Sequence, residues 1–120
     1  MENTDTVLNA KKFAQEKHKN QKRKDGVTPF YDHLEGVVNR LKNLGVTDKE
    51  TLCSAWLHDI IEDTDVTFDQ IKERFGREIA VIVLSLSKDK SIPKKERETQ
   101  YANQLKDAPF QTKIIKLCDI

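Results

Sequence analysis

Between His33 and Gly45 the apolar residues are Leu34, Val37, Val38, Leu41 and Leu44, spaced to share one face of a helix. The stripe stops at Gly45, a residue type suited to the turn just past a helix end. This period recurs along the chain and restricts the fold more than any other feature. Val7, Ala10, Phe13, Ala14 and Lys17 predict a helix over 5–19, followed by the polar loop "NQKRKDGVTP". Asp32 with Glu35 has the spacing of a capping box ahead of the 34–44 stripe, and Thr47 with Glu50 repeats it, opening a helix through Ile61. Thr67 with Gln70 opens "FDQIKERF", which Gly76 closes. The β-branched run "EIAVIVLSLS" comes next, but no partner strand or hairpin signal accompanies it, so it too reads as helix. "KKERETQYANQLK" follows Pro93, and Pro109 starts "FQTKIIKLCDI" at a position where proline is tolerated. The expectation is an all-α fold, an orthogonal or bundle-like array, with residues 1–120 as one domain.

At 120 residues such an array can bury a core without disulfide staples. The net charge of +1 argues against a whole-surface attraction to nucleic acid or membrane, and no window reaches the ~20 apolar residues of a membrane helix. The N-terminus lacks the apolar core of a secretory signal. Cys53 and Cys118 lie in apolar settings without a CxxC pair, which suits reduced, buried thiols in a cytoplasmic protein. Charge is segregated locally. Lys17, Lys19, Lys22, Arg23 and Lys24 form one basic cluster, Lys88 to Arg97 a second, and Asp59 to Asp69 an acidic run.

The chemistry concentrates in "LHDIIEDTD", residues 57–65. Ionisable groups on a largely buried helix cost several kcal/mol each unless they are paired, hydrogen-bonded or bound to metal. In a helix, His58 and Glu62 lie one turn apart, as do Asp59 and Asp63, while Cys53, Trp56, Leu57, Ile60 and Ile61 are apolar. The acidic patch therefore lines a cleft. The spacing HExxH is absent, so further metal ligands come from elsewhere in the chain. His33 lies just after a helix cap, and Asp119 ends the apolar run "KIIKLCD". His33, His58, Asp59 and Asp119 together make a mixed nitrogen and oxygen shell that suits Mn²⁺ or Fe²⁺, with Zn²⁺ also accommodated. Glu62 and Asp63, a turn further on, are placed to take and return the proton of a water made acidic by the ion. Two basic clusters beside this acidic site call for an anionic substrate, phosphate above all, and an arginine adds a flat face for stacking on a base.

The segments "FAQEKHKNQKRKDGVTPFYDH", "WLHDIIEDTDVTFDQIKERFG", "LSKDKSIPKKER" and "KIIKLCD" occur in the order seen in the RelA/SpoT-type HD hydrolases, and over residues 7–119 the chain resembles that family. Within it, "DKSIPKKER" is most like the stand-alone small alarmone hydrolases, the metazoan SpoT homologue group included. The resemblance implies an HD-domain helical array and a manganese-dependent 3′-pyrophosphohydrolase acting on the small nucleotides ppGpp and pppGpp, with GDP or GTP and pyrophosphate as products. By motif it assigns His33, His58, Asp59 and Asp119 to the metal, Glu62 and Asp63 to the attacking water, and Arg23 and Lys24 to a loop against guanine and phosphate. It further places Lys90, Lys94 and Arg97 in a segment that contacts phosphates. His18 matches a family position and reads as structural or as a support to the ligands.

Three departures stand out. Leu34 follows His33 where the family usually has proline, and Phe30 stands where tyrosine is common. The chain reaches Ile120, whereas the family continues with an asparagine and further helices that complete the nucleotide pocket. "KIIKLCDI" holds no helix-stop signal and reads as a helix cut in mid-run. Two other functions fit the same residues: an HD phosphohydrolase for another nucleotide such as NADPH, and a catalytically inactive HD-fold module that binds a nucleotide or a partner.

Overall fold

Among the residues that the computed structural model describes, 3–119, with side chains described for 6–119, eight helices follow one another. They are α1 (Asn3–His18), α2 (Phe30–Asn43), α3 (Lys49–Leu57), α4 (Ile60–Asp63), α5 (Phe68–Phe75), α6 (Arg77–Ser85), α7 (Lys94–Lys106) and α8 (Phe110–Cys118). No strand occurs among these residues, only an isolated antiparallel bridge between Lys22 and Pro29 that narrows the α1–α2 loop. The all-α expectation holds, and the β-branched run is helical. Among the described residues no helix is long and apolar enough to cross a membrane.

The helix ends show which local signals govern. Thr67 and Gln70 form the expected capping box, with Thr67 Oγ1 accepting from the Gln70 amide and Gln70 Oε1 from the Thr67 amide. Gly45 and Gly76 adopt φ of 90° and 98°, which a side chain would strain. Two caps differ from expectation. Helix α2 starts earlier, at Phe30 behind Pro29, so Asp32 lies in its first turn and caps nothing. At α3 the cap is Asp48, one residue after Thr47, because Asp48 Oδ2 reaches both the amide and the hydroxyl of Thr51. A carboxylate there also meets the positive end of the helix dipole.

Helix α3 is the axis of the molecule. Thr51 to Leu57 are all buried, with α1, α2, α6 and α8 packed around them. Burial of Leu57 or Ile60 contributes about 1.5–3 kcal/mol each. The helix expected to run on through Ile61 breaks after Leu57. The His58 amide reaches back only three residues, to Ala55 O at 3.4 Å, and Asp59 sits at φ −101°, ψ 1°, before α4 begins. The two residues at the break thus end a helix buried from Thr51 to Leu57, at the edge of the core. Helix α8 packs on α2 and α3 and brings Asp119 to the same place, with Arg40 Nε of α2 donating to Cys118 O at 2.7 Å.

Candidate active site

Four side chains from three parts of the chain converge beside the α3–α4 break. His33 comes from the first turn of α2, His58 and Asp59 from the break, and Asp119 from the end of α8. One ligand atom each from His33, His58 and Asp119 lie within 4.8 Å of one another. His33 Nε2 is 2.9 Å from Asp119 Oδ1 and 3.5 Å from Asp59 Oδ2; His58 Nε2 is 3.1 Å from Asp59 Oδ2 and 3.5 Å from Asp119 Oδ1. The helical spacing predicts one continuous helix through this stretch; the break instead makes His58 and Asp59 a separate pair, and His33 and Asp119 still reach them.

His58 tests whether a cation fits. Its ring is 1% exposed, and Nδ1 lies 2.7 Å from the carbonyl oxygen of Ala55. A carbonyl only accepts, so Nδ1 carries the proton and Nε2 of the neutral ring is a bare lone pair. That lone pair is buried, makes no hydrogen bond, and faces two carboxylates. Lone pair against carboxylate is repulsive unless positive charge lies between them. The same demand shows in the titration of the cluster. Burial alone would push His58 down, but the facing Asp119 and Asp59 carboxylates lift it to about 10. His33 is raised by its hydrogen bonds to Asp119 and Asp59. Against their own burial, Asp59 and Asp119 are lowered by the two imidazoles. Two carboxylates and two imidazole nitrogens are donor types that suit a divalent cation, His33, His58 and Asp119 being the compact group and Asp59 standing beside it, and a backbone bond at Nδ1 is the usual way a ligating histidine is oriented.

Glu62 and Asp63 lie on α4, directly past the break. Glu62 is half-buried, which raises its carboxyl above the ordinary range, and its Oε2 accepts weakly from the Lys88 amide at 3.4 Å. It lines a groove with Ile61, Ser87, Lys88, Lys90 and Gln104. Asp63 Oδ1 meets Lys90 Nζ at 3.3 Å. Of the basic residues singled out in the sequence, Arg23 and Lys24 are exposed on the loop between α1 and α2, Lys90 faces α4, and Lys94 is exposed at the start of α7. Arg97 turns back on its own loop, donating to Lys90 O at 3.4 Å and Ile92 O at 3.2 Å, so it shapes the 88–92 segment. Lys88 pairs with Glu98 at 3.0 Å.

Some site residues escape sequence reasoning. Phe30 stacks on His18 with ring centroids 4.7 Å apart and meets the His33 ring edge-on at 5.6 Å. Gln21 donates from Nε2 to the carbonyl of Asp63 at 2.9 Å. The Lys88 amide reaches Glu62 through the backbone, which side-chain identity does not announce.

The fold and site are those of an all-helical array with a His–Asp cluster at the broken end of its central helix, flanked by a second carboxylate pair. The chain belongs to the HD-domain family, whose model matches residues 10–119. It is 42% identical over 118 residues to the guanosine-3′,5′-bis(diphosphate) 3′-pyrophosphohydrolase MESH1 of Danio rerio, covering 97% of this chain and 66% of that protein. Against the Homo sapiens protein of the same name the identity is 38%, covering 94% and 64%. The solved structure of a metazoan ortholog of SpoT that hydrolyzes ppGpp superposes with a TM-score of 0.88 at 32% identity, covering 95% of this chain and 65% of that one. The chain thus spans just under two thirds of the length of these relatives.

Proposed function

We propose that this chain carries the metal-dependent hydrolytic centre of a (p)ppGpp 3′-pyrophosphohydrolase, with His33, His58, Asp59 and Asp119 as ligands of one Mn²⁺ or similar divalent ion. The observation that carries the proposal is His58 Nε2, buried, with the neutral ring's proton held on Nδ1 by Ala55 O, and aimed at two carboxylates that call for a positive charge between them, a proton or a metal ion. The ion would supply Lewis-acid charge that acidifies water and offsets negative charge on phosphate. Glu62 then acts as the proton acceptor. Its raised pKa brings it closer to the working pH, and the Lys88 amide keeps its carboxylate oriented. Asp63, held by Lys90, is its partner at the same edge, and Lys90 and Lys94 offer charge to the pyrophosphate. On the α1–α2 loop, Arg23 supplies a planar guanidinium for the guanine face and Lys24 a point charge for phosphate.

The substrate class rests on the relatives: the Danio rerio, human and Aquifex aeolicus proteins named guanosine-3′,5′-bis(diphosphate) 3′-pyrophosphohydrolase are 38–42% identical to this chain. The substrate is a small nucleotide, with no part for nucleic acid or membrane. Cys53 and Cys118 are both free and buried, which suits a reducing compartment such as the cytoplasm. Incubation of the Mn²⁺-loaded protein with ppGpp, pppGpp and NADPH, with separate assay of pyrophosphate and of orthophosphate, tests the reading. Pyrophosphate with GDP or GTP is expected; orthophosphate from NADPH alone would reassign the substrate, and no product from any of the three would remove the activity.

A further inference from the structure

Outside the proposed ligands and carboxylates, the strongest unexplained feature is a second buried histidine. His18 closes α1 at 1% exposure, yet it is not part of the metal cluster. Its Nδ1 lies 2.8 Å from Gln21 Oε1, and Gln21 Nε2 donates to Asp63 O at 2.9 Å. The amide orientation is fixed by Asp63, because a carbonyl needs a donor; Oε1 therefore faces His18, and Nδ1 carries the proton. His18 Nε2 is left buried with no hydrogen bond. Burying this ring for packing alone would be costly, since an apolar side chain fills the same space without an unsatisfied nitrogen.

Gln21 belongs equally to the basic loop. Its amide bonds to His18 O at 2.9 Å, its carbonyl accepts from the Phe30 amide at 2.9 Å, and the Lys22–Pro29 bridge lies next to it. It therefore closes the base of the loop that carries Arg23 and Lys24, while its side chain reaches 42 residues along the sequence to the last residue of α4. The His18 ring stacks on Phe30, whose edge meets His33. One small assembly thus touches the basic loop, the carboxylate-bearing helix and the ring of a proposed ligand.

We propose that His18 and Gln21 are positioning residues, a polar strut that fixes the Arg23–Lys24 loop against the Glu62–Asp63 pair so that nucleotide binding and proton transfer share one geometry. The proposal rests on the hydrolase reading for its catalytic consequence, but the strut itself is a structural claim with its own readout. Helix α4 has only four residues, so its own hydrogen bonds hold it weakly, and an external tie at Asp63 O restrains it where no further turn follows. The strut bears on kcat more than on metal binding, because none of its atoms belongs to the ligand set.

Three variants separate the roles. Gln21→Met keeps the length and removes both hydrogen bonds; His18→Phe keeps the stack on Phe30 and removes the donor; His18→Asn returns an N–H near the position of Nδ1. Amide hydrogen exchange in the full chain is expected to speed up about fivefold at Phe30, Asp63 and Thr64 in Gln21→Met and His18→Phe, with the rest of α2 and all of α6 unchanged and Mn²⁺ affinity within about twofold. His18→Asn should recover most of the protection. With ppGpp, kcat should fall about tenfold in the first two variants with KM little changed, the mark of misplacement after binding. Unchanged exchange, or a uniform rise across the protein, would overturn the strut. A loss confined to KM would show that the loop alone is affected and overturn the tie to α4. If the unaltered chain hydrolyses no nucleotide, the hydrolase reading fails and the exchange result alone decides the strut.

Discussion

At the scale of single residues, the site is set by where protons can and cannot sit. Glu62 is raised by burial at the edge of the core, whereas Asp59, three residues earlier, and Asp119 are lowered by two imidazoles, so the carboxylates of the site stand in opposite electrostatic settings. Replacing Glu62 by Gln keeps the shape and removes the proton acceptor; kcat on ppGpp should drop on the order of 10²-fold while Mn²⁺ still binds. Near-normal turnover would make Glu62 a bystander of the groove. Arg23→Lys keeps charge and removes the flat face. Binding of ppGpp should weaken by about 1–3 kcal/mol, with pyrophosphate binding barely changed. Equal losses in a calorimetric titration of both ligands would instead mark Arg23 as a phosphate contact only.

At the scale of elements, the contacts that end helices decide what is placed where. Asp48→Ala should cost about 1 kcal/mol through loss of the α3 cap, seen as a lower melting temperature, yet leave Mn²⁺ affinity intact because the ligands sit at the far end of α3. A large loss of metal affinity in that variant would mean that the α3–α4 break depends on the whole helix. Much of this layer is legible in the sequence. The Thr67–Gln70 box, Gly45, Gly76, Pro93 and Pro109 all mark the helix ends found, because those signals act through a residue's own backbone and nearest amides. The cap at Asp48 lies one position past the Thr47 that the spacing suggests, since Thr47 would take the Glu50 amide and Asp48 takes that of Thr51, and only the chain path chooses between them. The break at His58–Asp59 was not legible at all. No glycine or proline marks it, and the stretch around it is apolar and helical in period. The four cluster residues were legible because buried charge without a partner demands one, whereas the Gln21 side chain finds a backbone carbonyl and Lys88 uses its backbone amide, pairings that residue identity hides.

At the scale of the whole molecule, α2, the α3–α4 break and α8 are held together by apolar packing, and the charge cluster sits where they meet. In metal-free protein that cluster is bridged by protons. His58 is raised from 6.5 to about 10, so its contribution to stability is full below 6.5 and is lost as pH rises towards 10. Asp59 and Asp119 are lowered from 3.8, so theirs is present above that value and is lost as acid protonates them. A divalent cation competes with the imidazole protons, so its binding strengthens as pH rises. The gain in melting temperature on adding Mn²⁺ should therefore grow between about pH 6 and pH 8.5 by scanning calorimetry; a gain that shrinks over that range would contradict the proton competition. The account depends most on His58 Nε2 as a ligand, and the most direct measurement is a calorimetric Mn²⁺ titration of the chain against His58→Asn. Asparagine preserves a donor to Ala55 O and removes Nε2, so the fold should persist by circular dichroism. One ion per chain is predicted for the unaltered protein, with affinity lower by about 10²-fold or more in the variant; equal stoichiometry and affinity in both proteins would contradict a metal centre at this site.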